Sequence, residues 1–315
     1  MKLLFAFFRL IRWPNLFFIA LTQSLFYYCI IVSTASDNQL ISNLTQPLFF
    51  LLMLASILIA AAGYIINDYF DINIDQVNKP EKMVVEKIIK RRWAIVLHWV
   101  ITTVGLIISL YVSFKTSFII IIVNVLCTLL LWFYSTTFKK KLLAGNIIIS
   151  LLTAWTIMVL YFATGNTFHF LSAPVPGLSK AMNHIFKFAV LYAGFAFVIS
   201  LIREVVKDIE DMEGDAKYNC KTMPIVWGVP SSKVFAGVWL VVLIGALIIL
   251  QLYAFQLGWW ITGFYCFLMV LLPLVWILRK LYTAQNTGQY HQLSRLIKLV
   301  MLSGILSILF FKWYL

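Results

Sequence analysis

Six aspartates share one spacing: Asp68, Asp71 and Asp75, then Asp208, Asp211 and Asp215, each of the second group 140 positions after its counterpart. Both groups read Asp-x-x-Asp-x-x-x-Asp. Of the twelve Asp and Glu residues, eleven fall within 68–86 and 204–215, leaving only Asp37 elsewhere. A chain of net charge +13 has gathered its negative charge into two patches. At 100° per residue, positions i, i+3 and i+7 fall within about 60° of one another, so each trio is expected on a single helical face. Asn67, four residues before Asp71, lies at the edge of the first. Such crowding is costly, through mutual repulsion and through the helix dipole if the trio sits at a C-terminal end. A divalent cation offsets both. Mg²⁺ binds through one or two carboxylates and keeps its other positions for water and substrate phosphate. Two facing trios suit about two such ions bridged by a diphosphate, and nearby lysines and arginines suit the outer phosphate oxygens. A solvated acidic face paired with local lysines is the plainer reading of one trio alone. Two trios of identical spacing argue against it. Glu81, Glu86, Glu204, Glu210 and Glu213 fit no shared ligand face and are expected mostly to be salt-bridge partners or solubilising charges.

The elements that carry these residues are membrane helices. The chain is 62% apolar and 12% charged, with mean hydropathy +0.93, against about 25% charged in a soluble domain. Runs long enough to cross the hydrocarbon core, roughly 20 residues each, are expected at 14–33, 47–66, 94–114, 117–134, 142–164, 186–206, 234–253, 258–278 and 295–313. Little remains for a soluble domain, so residues 1–315 are expected to form a single integral-membrane domain. With the N-terminus cytoplasmic, the loops on that side hold 21 of the 25 Lys and Arg residues, as cytoplasmic loops do. The orientation is therefore N-terminus in, C-terminus out, in a cell membrane. The same pattern accounts for a pI near 9.6 without a nucleic-acid partner. Cys29, Cys127, Cys220 and Cys266 are far apart and imply neither a disulfide framework nor a zinc site. The first apolar run lacks a small-residue cleavage site and is expected to be a retained span.

Two cytoplasmic connections are long, about 67–93 and about 204–233, and each opens on an acidic trio where a span ends. Both trios are thus expected in the last helical turns at the cytoplasmic surface. Four histidines, His98, His169, His184 and His291, are scattered and offer no evident base.

At these residues the chain resembles the UbiA superfamily of intramembrane prenyltransferases. The segment from Asn67 to Asp75, followed by Asn78-Lys79-Pro80, matches that family's Asn-Asp-x-x-Asp-x-x-x-Asp and Asn-(Arg/Lys)-Pro. The segment from Arg203 to Asp215, continuing through Lys221-Thr222-Met223-Pro224, matches its second Asp-rich motif. Tyr134-Ser135 with Lys139, then Gly145-Asn146, and the N-terminal Arg12-Trp13-Pro14-Asn15 match further positions, so the resemblance covers essentially the whole chain.

The resemblance implies an all-α polytopic bundle of about nine transmembrane helices around a central cavity. In it, Asn67, Asp68, Asp71, Asp75, Asp208, Asp211 and Asp215 serve Mg²⁺ and the diphosphate of an isoprenoid donor. Arg12, Lys79, Tyr134, Lys139, Arg203 and Lys207 are the expected substrate contacts, with Asp71, Asp75, Asp208, Asp211 and Lys139 at the chemistry. Metal and cations stabilise the leaving diphosphate, the allylic C–O bond ionises, and an acceptor attacks the cation. The Lys-Asp-Ile-Glu-Asp-x-Glu-Gly-Asp string looks most like the branch that prenylates geranylgeranylglyceryl phosphate. An aromatic acceptor of quinone synthesis (4-hydroxybenzoate, dihydroxynaphthoate or homogentisate) is the alternative within the family. A divalent-cation transporter is the alternative outside it, disfavoured because transporter sites lie near the midplane on broken helices. One departure stands out: many members follow Asn-Lys-Pro with Arg-Pro-(Ile/Leu), whereas Lys82-Met83-Val84 stands here, so the first loop is expected to close differently.

Overall fold

The computed structural model describes residues 2–37, 42–78, 80–165 and 176–314. Lys79 and His169 lie outside them. Among the described residues, nine helices are long and apolar enough to span a membrane: α1 Trp13–Ala35, α2 Gln46–Phe70, α3 Arg91–Lys115, α4 Ile119–Thr136, α5 Ala144–Thr164, α6 Lys180–Glu210, α7 Gly228–Gln256, α8 Trp260–Thr283 and α9 Thr287–Trp313. These are the expected spans, and several run beyond the apolar core. α7 and α9 begin earlier than hydropathy suggests, because their first turns are polar or charged and emerge from the apolar region. Asn286 caps α9 by accepting from the Gln289 backbone N–H at 3.0 Å, which satisfies an orphan donor and fixes that start.

The bundle is apolar outside and selectively polar inside. Ile107, Ile249 and Phe264 are among the large side chains left exposed on helix exteriors, where lipid tails cover them. Inside, Gln23 of α1 donates to the Thr156 carbonyl of α5 at 2.8 Å and to Ser56 of α2 at 3.1 Å. Asn124 of α4 donates to Ser109 of α3 at 2.9 Å and accepts from Trp155 of α5 at 3.0 Å. Such bonds between helices fix register where burial against lipid supplies little driving force.

Contacts between loops sort the two ends of the bundle. At one end Arg9 donates to the Glu81 carbonyl at 2.7 Å, the Lys221 N–H donates to the Lys140 carbonyl at 2.8 Å, and Asn78 reaches the segment after α6. The connections following α2, α4 and α6 therefore meet there. At the other end Trp259, between α7 and α8, stacks on Tyr314 with ring centroids 5.3 Å apart. The first loop closes on itself, with Met83, Val84 and Val85 buried and Val85 bridged to Ile89.

One expectation needs correction. The two acidic trios do not lie on unbroken helical turns. α2 ends at Phe70, Asp71 takes φ −88°, ψ 1°, and a short helix Ile72–Asn78 follows. α6 ends at Glu210, Asp211 takes φ −94°, ψ 4°, and Met212–Lys217 follows. Both breaks fall on the middle aspartate, in the sparsely used bridge region. Carboxylates stacked at the negative end of a helix dipole, on a residue of low helix propensity, oppose continuation at each point. The third aspartate of each trio thus belongs to a separate helical turn, and the single-face argument does not place it.

Candidate active site

The first trio is assembled with cations from neighbouring elements. Arg12, held at φ 50° just ahead of α1, donates to Asp68 Oδ1 at 2.8 Å. Asp71, nearly buried at 3% exposure, accepts from Asn67 Nδ2 at 2.6 Å and forms an ion pair with Lys139. Lys139 comes from the tight turn Phe138–Lys140 between α4 and α5. That turn packs so closely on the start of α5 that a Cβ at Gly145 would stand 3.1 Å from both Lys139 Cα and the Phe138 carbonyl oxygen. A glycine there lets the turn settle and aim its lysine. Burial works against the Lys139 ammonium, but Asp71, Tyr134 and Asp75 outweigh it, so its pKa lies above the usual lysine value. Burial, and after it the charge of Asp71, pushes the Asp75 carboxyl up to about 6.

The second trio is held differently. Asp208 accepts from Asn146 Nδ2 of α5 at 2.8 Å, and Asp215 is buried. The link between the two trios is Asn78, whose Nδ2 donates to the Asp211 carbonyl at 3.1 Å while its Oδ1 accepts from the Gly214 N–H at 2.9 Å. A Cβ at Gly214 would come within 2.2 Å of Asn78 Oδ1, so the approach demands glycine. Tyr134 lies within electrostatic reach of both Asp71 and Asp208. The expected residues Arg12, Asn67, Asp68, Asp71, Lys139 and Tyr134 are thus brought together, while Asp208 is held separately by Asn146.

Several glutamates behave as salt-bridge partners. Glu204 accepts from Arg203 at 3.1 Å and Lys207 at 2.9 Å, Glu213 from Lys217 at 3.2 Å, and Glu210 lies 2.7 Å from His291 Nδ1. Asn78 and Asn146 were not singled out as site residues from sequence. Asn78 opens the Asn78-Lys79-Pro80 segment and Asn146 closes Gly145-Asn146, and that adjacency is the one signal the sequence offers.

Below these groups lies a cavity of about 900 Å³. Asn67 and Tyr134 reach its wall, as do Arg12, Arg203 and Lys207, and its deeper lining includes Phe18, Ile59, Leu131, Trp155 and Phe195. None of the six grid aspartates lines it, but Arg12 and Asn67, the partners of Asp68 and Asp71, do. Among the described residues no three His, Cys, Asp or Glu side chains stand close enough together to cage a metal. The donor chemistry nevertheless fits Mg²⁺. Asn67 Oδ1 is buried without a hydrogen-bond partner, a hard oxygen beside the Asp71 carboxylate, and hard oxygens are what Mg²⁺ takes.

A helical membrane bundle with an apolar cavity, rimmed at one end by paired carboxylates and cations, defines an intramembrane enzyme for amphiphilic anions. The chain belongs to the UbiA prenyltransferase family, whose model matches residues 12–300, and it is a multi-pass membrane prenyltransferase. The digeranylgeranylglyceryl phosphate synthase of Sulfurisphaera tokodaii is 33% identical over 229 residues, 73% of this chain and 74% of that one. A solved structure of a digeranylgeranylglyceryl phosphate synthase covers 98% of this chain and 99% of its own, at 25% identity and TM-score 0.59. A UbiA homologue from Archaeoglobus fulgidus, bound to GPP and Mg²⁺, shares the fold at 14% identity, covering 96% of this chain and 99% of its own at TM-score 0.56.

Proposed function

We propose that this chain uses Mg²⁺ to transfer a prenyl group, geranylgeranyl by preference, from an isoprenoid diphosphate to geranylgeranylglyceryl phosphate. The observation that carries the reading is the Asn67–Asp71–Lys139 cluster, whose Asn67 joins the wall of a largely apolar cavity, together with Asp208 held by Asn146. The relative from Sulfurisphaera tokodaii supports the acceptor, and the Mg²⁺-bound homologue supports the metal. The whole of residues 1–315 acts as one unit, with the rim on the cytoplasmic side, where the basic loops gather, and the C-terminus opposite.

Asn67, Asp68, Asp71, Asp75, Asp208, Asp211 and Asp215 are the oxygen donors available to the metal. When bound, Mg²⁺ neutralises diphosphate charge and eases its departure. Lys139, Tyr134 and Arg12 meet the diphosphate oxygens, with Lys79 at the adjoining motif, while Arg203 and Lys207 line the cavity and are left to the second substrate. Lys139 and Arg12 are held in advance by Asp71 and Asp68, so little reorganisation accompanies binding. The cavity takes the prenyl chain and excludes water that would quench an allylic cation. Atoms balance simply. The allylic C–O bond breaks with its electron pair leaving on diphosphate, a glycerol hydroxyl oxygen forms the new C–O bond, and its proton is released.

The test is a turnover assay on purified protein in lipid or detergent with Mg²⁺ and labelled geranylgeranyl diphosphate. The acceptors are geranylgeranylglyceryl phosphate, 4-hydroxybenzoate, dihydroxynaphthoate and homogentisate. Product with the glyceryl phosphate alone is expected. Asp71→Ala and Asp208→Ala should each lose about a hundredfold or more of turnover, as loss of a metal donor or its support does. Undiminished activity in both variants overturns the site assignment, and product from an aromatic acceptor instead overturns the acceptor.

A further inference from the structure

A second group of cations lines the cavity apart from those engaged by the acidic trios. Arg203 and Lys207 stand one turn apart on α6, and Arg295 and Lys298 one turn apart on α9; all four are cavity-lining. Among the described residues, the only acidic side chain on the cavity wall is Glu204, which is already shared between Arg203 and Lys207. Arg203 Nε is buried with no hydrogen-bond partner. Lys298 has a neutral partner, donating to Asn15 Oδ1 at 2.7 Å, and its ammonium sits 5.0 Å from the Phe18 ring centroid. It lies within electrostatic reach of Arg203 and Lys207, and among the described residues no ion pair is formed by Arg295 or Lys298. Four cations around one carboxylate repel one another unless an anion joins them.

The same faces turn apolar deeper in the membrane. Beyond Lys298 on α9 come Met301 and Ile305, beyond Arg203 on α6 come Ile199 and Phe195, and beyond Asn15 on α1 comes Phe18; each lines the cavity. A ligand seated here meets cations at one end and hydrocarbon along its length.

We infer that Arg203, Lys207, Arg295 and Lys298 form a separate site for the phosphate monoester head of an amphiphilic acceptor, whose chain follows the α1, α6 and α9 faces inward. This deepens the proposed function and rests on it for the identity of the acceptor. The two phosphate groups of the reaction are thereby held apart: the donor diphosphate at the acidic rim with Arg12 and Lys139, the acceptor phosphate on α6 and α9. With phosphate held at the second site and the chain drawn inward, the acceptor's free glycerol hydroxyl, which lies between them, is the group left to face the donor. The site also selects against acceptors without an anionic head, because they leave the cations unpaired.

The test is direct binding by calorimetry in detergent micelles, using geranylgeranylglyceryl phosphate, the same lipid without its phosphate, dioleoyl phosphatidic acid and geranylgeranyl diphosphate. The wild type should bind the phosphorylated glyceryl lipid at least about tenfold more tightly than its phosphate-free counterpart, as expected for charge-assisted hydrogen bonds. The double variant Arg295→Gln/Lys298→Gln should lose that preference while holding geranylgeranyl diphosphate within about twofold. Lys298→Arg, which keeps the charge, should retain most of the preference, and this second variant guards against a folding defect in the double one. No phosphate preference in the wild type overturns the site. Equal weakening of both phosphate ligands assigns these residues to the donor and overturns it too. Phosphatidic acid bound as tightly as the glyceryl phosphate makes this a general headgroup contact and likewise overturns it. A phosphate lipid that binds with the expected preference but is never prenylated leaves the site standing and refutes the acceptor named above.

Discussion

At the scale of single residues, the chemistry was visible in type and spacing, while the partners were not. Asp71 and Lys139 stand 68 positions apart and form an ion pair; only the turn beneath Gly145 brings the lysine back to α2. Asn146 is the sharper case. In sequence it is one amide at the head of an apolar helix, and in the structure it is the donor that orients Asp208. Asn146→Ala should weaken the Mg²⁺ requirement constant about ten- to hundredfold, the usual cost of losing a group that orients a metal ligand, read as the Mg²⁺ concentration for half-maximal turnover. An unchanged Mg²⁺ dependence counts against that role. Asp75 gives a pH prediction. Its carboxyl is raised from the ordinary aspartate value to about 6 by burial and by Asp71. It therefore keeps its proton until near that pH, and Mg²⁺ must displace the proton below it. Mg²⁺ affinity should rise with pH up to about 6 and level off above. Calorimetric titrations at about pH 5 and about pH 7.5 check the sign, and a flat profile refutes it.

At the scale of elements, the spans were legible because crossing hydrocarbon leaves a composition mark that neighbouring helices do not alter. The ends of α2 and α6 were less so. Hydropathy located both acidic trios at helix termini, and the continuous-helix assumption put each on one face. The chain instead breaks at Asp71 and again at Asp211, at positions that correspond under the 140-residue offset. Helical period cannot report where a helix stops once local repulsion competes with its backbone bonds. The two broken segments are then joined by Asn78, which spans from the first to the Asp211 carbonyl and the Gly214 N–H. Gly214→Ala forces a methyl into that contact and should cost about 1–3 kcal/mol. Thermal unfolding in detergent measures this, and turnover should fall with it as the trios shift. Wild-type stability in Gly214→Ala contradicts the close approach.

At the scale of the whole molecule, the proposed function depends on one end of the bundle being polar and on the cavity within it being largely apolar. The basic residues gather on the loops at the rim end, and the membrane orientation proposed from them has a plain test. In a background without native cysteines, Lys141→Cys should resist a membrane-impermeant thiol reagent in intact cells, and Leu257→Cys, at the opposite end, should react. The reverse pattern inverts the topology without touching the site. The sequence by itself determined the class of fold and the order of the spans, and it supplied the candidate residues from which the proposed metal and phosphate site is drawn. Those follow from local quantities: apolar run length, charge placement and motif spacing. Only the tertiary structure decided which cation meets which carboxylate, where the acidic helices break, and that α6 and α9 bring four positive charges onto one cavity wall around a single glutamate. These are contacts between residues distant in sequence, set by helix packing, and no local period encodes them.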